Sequence, residues 1–512
     1  MAGRTPAVGA IAVAEGTAMA GASGVTDKGV SADAVGLGGA VILGVSCVAP
    51  AYALTASAGP IVAAVGYQSL SAIMLGFIPM LLVALGYREI NAAVPDNGTS
   101  FTWVTAVFGP RLGWMAGWGL IVSTVLVLAS SAGVAVDFWW LMLADLTGRP
   151  ELAGLAANPF INVATCFVFM GLAAWISCRG VETSTRVQAF LVVLQVMALC
   201  GFGLVAIIRG YHAQAPDFQP ISLSWFDPTI IPTPAALAAG LSLAVFMFWG
   251  WDVTLTMNEE TRNPKTTPGL AAALTVAIVT LLYVIPTAGA LSFAGIGNGA
   301  LGLGNIENQR NVLLALAHPV FGRFTILMSL AVLCSSAGCL QSTVLGPSRT
   351  MLAMSYYRAL PEALGRTHPV YRVPATAVLV STIGSSLFYA VLRFTSQNVL
   401  WDTISAIGLL ICLYYGLTAF AVVGHFRESW FDSARTFLTR LLCPLLGGLA
   451  LAALFVKTLY DSLDPGFGSG SHIGSVGLVF VIGMLLIVGG IVIMGIMALR
   501  QPEFFRTPLT PR

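Results

Sequence analysis

The chain has 512 residues, of which 57% are hydrophobic and only 9% charged, with a mean hydropathy of +0.86. A soluble chain carries about 25% charged residues, so a solvated globular surface is excluded. The net charge of +2 excludes nucleic acid as a partner held by bulk electrostatics. What remains is an all-α polytopic protein embedded in a lipid bilayer.

Residues 1–33 lack a basic region followed by an apolar core, so they hold no secretory signal. Their Gly/Ala/Ser-rich composition reads as a disordered tail. From residue 34 the chain alternates stretches free of Asp, Glu, Lys, Arg and His with short polar connections. The stretches are 34–87, 112–136, 152–178, 187–208, 229–251, 266–306, 324–348, 373–392, 403–424, 441–456 and 473–499. A crossing needs about 20 apolar residues. The first stretch, interrupted by Gly59-Pro60 and Gln68-Ser69, holds two helices and each of the others holds one, twelve in all. Gly295 to Gly304, at the end of the 266–306 stretch, reads as a loop.

Basic residues orient the bundle. With the N-terminus inside, 18 of the 24 Lys and Arg fall on the cytoplasmic side. Arg149, Arg209, Arg310, Arg323, Arg393 and Lys457 fall outside. Both termini are therefore expected in the cytoplasm. No connection is long enough for a soluble catalytic module. The eight Cys lie in or beside apolar runs without paired spacing, and the five His lie in polar connections. No zinc, haem or disulfide framework is indicated, and no cofactor is expected.

Two helices carry interruptions. The first reads GLGGAVILGVSCVAPAYALTASAG, with Pro50 at mid-membrane, where proline removes a helical donor and clashes one turn back. The sixth reads AALAAGLSLAVFMFWGWDVTLTMNEE, with Gly250 between two Trp and followed by Asp252. Freed backbone groups survive in a membrane only where they line a cavity or meet a partner. Interruptions at matching places in two halves point to a transporter's midplane site. A carboxylate at that depth costs about 2.5–3.5 kcal/mol on insertion scales. Asp252 is thus either an ion- or substrate-coupled group or the N-cap of the inner half-helix, and the two roles are compatible. Asp137, in VAVDFWW, reads as interfacial. Glu259 and Glu260 are expected to face Arg262 and Lys265 in a cytoplasmic ion-pair cluster.

Three stretches together resemble a known family. YREINAAVPDNGTSFTWVTAVFGPRLGWMAGW (87–118) resembles the second-to-third helix signature of the amino acid–polyamine–organocation (APC) permeases. FWGWDVTLTMNEETRNPKTTPGLA (248–271) is similar to the family's sixth helix and its exit, and GPSRTMLAMSYYRALPEALGRTHPVYRVPATA (346–377) to its eighth-to-ninth connection. The resemblance, of the bacterial amino acid permease type, covers about 36–425. It implies a LeuT-type 5+5 inverted repeat with two further helices. The repeats would be 34–210 and 229–424, the added pair 437–499, and a C-terminal tail 500–512. It further implies alternating access, with an amino acid carboxylate near Ser46, Cys47, Val48, Ala49 and Pro50. The amino group would lie near the carbonyls of Phe248, Trp249 and Gly250, and Phe246, Phe248 and Trp251 would be candidate aromatic gates. Helix N-termini suit an anion and freed carbonyls an ammonium.

The chain also departs from the pattern. SCVAPAY replaces the family's Gly-Ser-Gly, leaving less room for backbone approach. Gln188 and Gln195 stand on the fifth helix, where some relatives carry Lys. Ser335 and Ser336 lie where sodium-coupled relatives offer hydroxyls, but serines are common at membrane helix contacts, so sodium is disfavoured. The expected function is secondary transport of an amino acid or related amine across the cell inner membrane. Asp252 is the proton-responsive group of a symporter, or the protein exchanges substrates without an ion. The alternative is a non-transporting sensor or a channel on the same fold. An enzyme is not expected, because no acid–base pair lies within the membrane. Monomer and homodimer remain open.

Overall fold

The computed structural model describes residues 28–509 apart from 213, 214, 216, 310 and 396. Of the tail expected over 1–33, residues 1–27 lie outside the described residues. In chain order, α1 (Leu37–Val48) and α2 (Pro50–Val65) form one apolar rod cut at Ala49. A short turn at Gly66–Gln68 leads to α3 (Ser69–Ala93). The brief α4 (Ser100–Phe108) precedes α5 (Pro110–Thr147), the longest helix described at 38 residues. Next come α6 (Pro159–Ser177), capped by the Asn158 carboxamide, and α7 (Val181–Tyr211). The second cut rod is α8 (Pro234–Met247), capped by the Thr233 hydroxyl, with the one-turn α9 (Val253–Thr256).

After α10 (Thr267–Ala294), the Gly-rich segment is non-helical as expected, and the short α11 (Ile306–Gln309) and α12 (Val312–Phe321) cap one end of the bundle. The long α13 (Ile326–Tyr356), α14 (Ala375–Thr395) and α15 (Gln397–His425) follow. The one-turn α16 (Ala434–Thr436) leads through a π-helical segment into α17 (Cys443–Asp461). The small hairpin β1 (His472–Ile473) and β2 (Val476–Gly477) precedes α18 (Leu478–Arg500) and α19 (Pro502–Arg506). Helix dominates, and ten described segments are long and apolar enough to cross a membrane. One of them, Leu37–Ala93, runs through α1, α2 and α3.

Of the two interruptions expected inside that first segment, Gln68-Ser69 marks the boundary, with the turn at Gly66–Gln68 and α3 starting at Ser69, whereas Pro60 sits within α2. Gly59 serves close packing instead: a Cβ there would lie 1.7 Å from the Gln309 carbonyl oxygen beside α11. Small residues let other rods touch by their backbones, as membrane packing favours. On α7 a Gly203 Cβ would fall 2.7 Å from the Ile285 carbonyl oxygen of α10. Helices α6, α7, α14 and α18 turn large apolar side chains outward, among them Phe160, Phe190, Leu387 and Leu499. In a bilayer these meet lipid. The centre of the bundle is left to α1, α3, α5, α9, α13 and α15.

Candidate functional site

The two cuts meet. At the first, Ala49 adopts a left-handed backbone (φ 52°, ψ 69°), closing α1 with its own N–H on the Val45 carbonyl. Pro50 then occupies the first turn of α2, where its missing N–H breaks no helical bond. So the proline starts the second half-helix and the break itself falls on Ala49. Freed groups find partners on α13: the Cys339 thiol donates to the Cys47 carbonyl at 3.3 Å, and the Tyr52 N–H donates to Ser335 Oγ at 3.1 Å. Ser335, considered for sodium, is thus engaged by α2. Ser46, Val48, Ala49 and Pro50 are all buried at this cut. Ser46 Oγ lies against Gly338, where a Cβ would come within 2.5 Å of it.

At the second cut, Phe248, Trp249, Gly250, Trp251 and Asp252 link α8 to α9. Gly250 has φ +107°, a conformation open to glycine and rarely to other residues. A Cβ there would sit 3.0 Å from Cys47 Sγ and 3.2 Å from the Cys47 carbonyl. The glycine is what brings the two breaks into contact. The Met247 carbonyl, freed at the end of α8, accepts the Tyr283 hydroxyl of α10.

Asp252 does not cap α9, for its side chain makes no bond to that helix's N–H groups. It accepts instead from the Tyr415 hydroxyl at 2.8 Å and the Tyr414 hydroxyl at 3.3 Å, both on α15. Trp249 Nε1 donates to Tyr414 Oη at 2.7 Å, and the Gly250 N–H points at Tyr415 Oη at 3.5 Å. Two adjacent tyrosines therefore hold the backbone of the cut, its Trp and its carboxylate together. Of the aromatic candidates, Trp251 stacks on Tyr415 and meets Tyr87 edge-on, while Phe248 packs between Phe77 and Tyr283. Phe246 is buried one turn earlier. A cavity of about 20 Å³ lies between the breaks and α13, with Cys47, Thr124, Trp249, Asp252, Ser342 and Thr343 in its wall. That is room for about one water. Cys47, Trp249 and Asp252 are the expected site residues that line it.

Gln188 on α7 donates to Ser184 and accepts the Ser342 hydroxyl, both at 2.8 Å, which ties α7 to α13 beside this wall. Gln195 is buried with neither end of its carboxamide partnered among the described residues. Asp137 lies on α5 and receives Asn162 Nδ2 at a long 3.5 Å.

Toward one end of the bundle, the turn after α9 carries Glu259 and Glu260. Their partners are other than Arg262 and Lys265. Glu260 forms a two-pronged pair with the fully buried Arg349 of α13, at 2.8 and 3.0 Å. Glu259 pairs with Lys28 and accepts the backbone and side-chain N–H groups of Asn97, each at 3.1 Å. Lys28 also pairs with Asp96 at 2.7 Å, and Asp96 accepts in addition from Thr102 and Tyr357, each at 2.7 Å. Burial opposes the charge on Lys28, but the facing Asp96 and Glu259 carboxylates outweigh it and raise its pKa well above the usual lysine range. Burial likewise works against the Asp96 carboxylate, and the Lys28 ammonium outweighs it and holds its pKa below the usual value. Arg262 reaches the Asp33 carbonyl at 3.1 Å.

Residues 35–486 match the family model described as amino acid permease. Over 365 residues the chain is 27% identical to the branched-chain amino acid permease BcaP of Lactococcus lactis, a match covering 68% of this chain and 73% of that protein. It is 24% identical over 401 residues to the human large neutral amino acids transporter small subunit 2, covering 78% and 70% of the two chains. It is also 24% identical over 389 residues to the human cystine/glutamate transporter, covering 76% and 72%. The apolar helices, the two cut rods and a family match spanning most of the sequence lead to one conclusion: the chain belongs to the amino acid permease family, within the APC superfamily.

Proposed function

We propose that this permease carries an amino acid or related amine across the cytoplasmic membrane by alternating access. Coupling is by proton symport or by exchange of substrates. The observation that supports this most directly is the contact of Gly250 with Cys47, which sets two broken helices face to face. The carboxylate of the cargo is assigned to the first cut, around Ser46, Cys47, Val48, Ala49 and Pro50. Its ammonium is assigned to the carbonyls of Phe248, Trp249 and Gly250, with Asp252 as the coupling group. Phe246, Phe248 and Trp251 would close over the cargo. The residues lining the cavity include one carboxylate and no basic side chain, which favours a neutral or cationic cargo over an anionic one. The relatives named for branched-chain and large neutral amino acids fit the same preference, and the one named for cystine and glutamate does not.

In this reading the Leu37–Ala93 run crosses twice and α8 with α9 crosses once. Together with the other nine apolar segments this makes the twelve crossings, arranged as two five-helix repeats and an added pair. Both termini lie in the cytoplasm. Uptake into proteoliposomes tests the proposal, using separately labelled neutral amino acids, cationic amino acids, GABA and polyamines, with and without an inward proton gradient. Uptake of one class enhanced by the gradient is the symport result. Uptake only into preloaded vesicles is the exchange result. No movement under either condition by folded protein would overturn the transport reading.

A further inference from the structure

The stretch before α1 is part of the folded bundle. The Lys28 side chain has no exposure, and its ammonium meets Asp96, from the loop between α3 and α4, and Glu259, from the turn after α9. The same ammonium lies 5.4 and 5.5 Å from the ring centres of Tyr356 and Tyr357 at the end of α13. Seven residues on, Val35 pairs with Thr261 in a parallel bridge: its N–H donates to the Glu260 carbonyl at 2.9 Å, and its carbonyl accepts from the Arg262 N–H at 2.8 Å. One short segment thus bridges the exit of the second cut rod, the α3–α4 loop and the foot of α13. All three frame the same end of the bundle, below the cavity that Cys47 and Asp252 line.

We propose that residues 28–35 are a strap that locks this end shut, and that Lys28 must leave the Asp96–Glu259 pair before the site opens to that side. A buried ammonium between two carboxylates is well suited to such a lock. Seated, it neutralises them and draws their elements together; withdrawn, it leaves two carboxylates that cannot both stay charged and buried, which favours parting and hydrating those elements. The Val35 bridge gives the strap a second anchor on the element that has to move. The inference rests on the alternating-access reading, and on the orientation that puts this end in the cytoplasm.

Cys47 supplies the readout, because its thiol is in the cavity wall and buried when the end is closed. Inside-out vesicles are treated with a membrane-impermeant maleimide, and modification of Cys47 itself is followed by peptide mass spectrometry. Lys28→Gln is expected to raise the Cys47 labelling rate at least fivefold over the wild type. Removal of residues 1–27 alone is expected to leave it unchanged. A Val35→Cys/Thr261→Cys pair, which retains Lys28, provides the opposite test: oxidation should suppress Cys47 labelling severalfold and reductant should restore it. This second variant carries the test if Lys28→Gln does not fold. Cys47 labelling that is the same in the wild type, in Lys28→Gln and in the oxidised pair would overturn the strap while leaving alternating access in place. Labelling absent from every form, without substrate as well as with it, would remove alternating access and the strap with it.

Discussion

Asp252, the proposed coupling group, and Gly250, a conformational requirement, stand side by side, and substitution separates them. Asp252→Asn keeps the size of the side chain and one oxygen to accept the Tyr415 hydroxyl, while an NH2 donor replaces the oxygen that accepts from Tyr414. It should abolish gradient-driven uptake while leaving exchange between preloaded vesicles close to wild type. Loss of both activities, or of neither, would take coupling away from this residue. Gly250→Ala forces a Cβ into the left-handed region, at about 1–2 kcal/mol, and against Cys47 at 3.0 Å. It should lower uptake more than tenfold with a small loss of melting temperature in detergent. Both residues were legible in the sequence, because a glycine between tryptophans and an acid in an apolar run violate the local pattern. Tyr414 and Tyr415 were not, since a tyrosine in an apolar run reads as packing and nothing marks where its hydroxyl goes. The partners of Glu259 and Glu260 escaped for a related reason. Arg262 and Lys265 are the nearest basic residues in sequence, whereas the actual partners lie 231 and 89 residues away.

Among the elements, α13 ties the site together. It offers Cys339 and Ser335 to the first cut, Ser342 to α7, and Arg349 to the turn after α9. Arg349 is wholly buried, so its pairing with Glu260 matters most when only one partner remains. Arg349→Met leaves a buried carboxylate and should cost about 3–5 kcal/mol. Adding Glu260→Leu should restore most of the lost melting temperature, and failure to recover would show that Arg349 does more than neutralise Glu260. The helices themselves were legible, since charge-free length is nearly all a membrane helix requires. Their ends were less so. Gly59-Pro60 has the composition of a turn but lies inside α2, because the glycine is needed against Gln309 and proline is tolerated where neighbouring helices surround it. The short α4 leaves no mark in the pattern of apolar runs.

For the whole molecule, the orientation derived from Lys and Arg gives a direct expectation. Ile473, in the hairpin before α18, and Val370, between α13 and α14, are both well exposed, at 60% and 75%. Ile473→Cys should react with an impermeant maleimide in intact cells, and Val370→Cys only after permeabilisation. The reverse pattern would invert the topology and move the Lys28 strap to the outer face. The sequence placed the tail before α1 outside the fold because Gly, Ala and Ser dominate it, and one lysine in such a segment gives no hint of the carboxylates waiting for it. A different consequence follows from α5. At 38 residues and about 1.5 Å per residue it is roughly 57 Å long, nearly twice the hydrocarbon thickness of about 30 Å, while α6 has 19 residues and barely spans it. A bilayer cannot match both rods at once. The long one must lean or protrude, and any change in its lean costs elastic energy in the surrounding lipid. The turnover of this permease should therefore depend on acyl-chain length, making membrane thickness a control on transport that acts without touching the site.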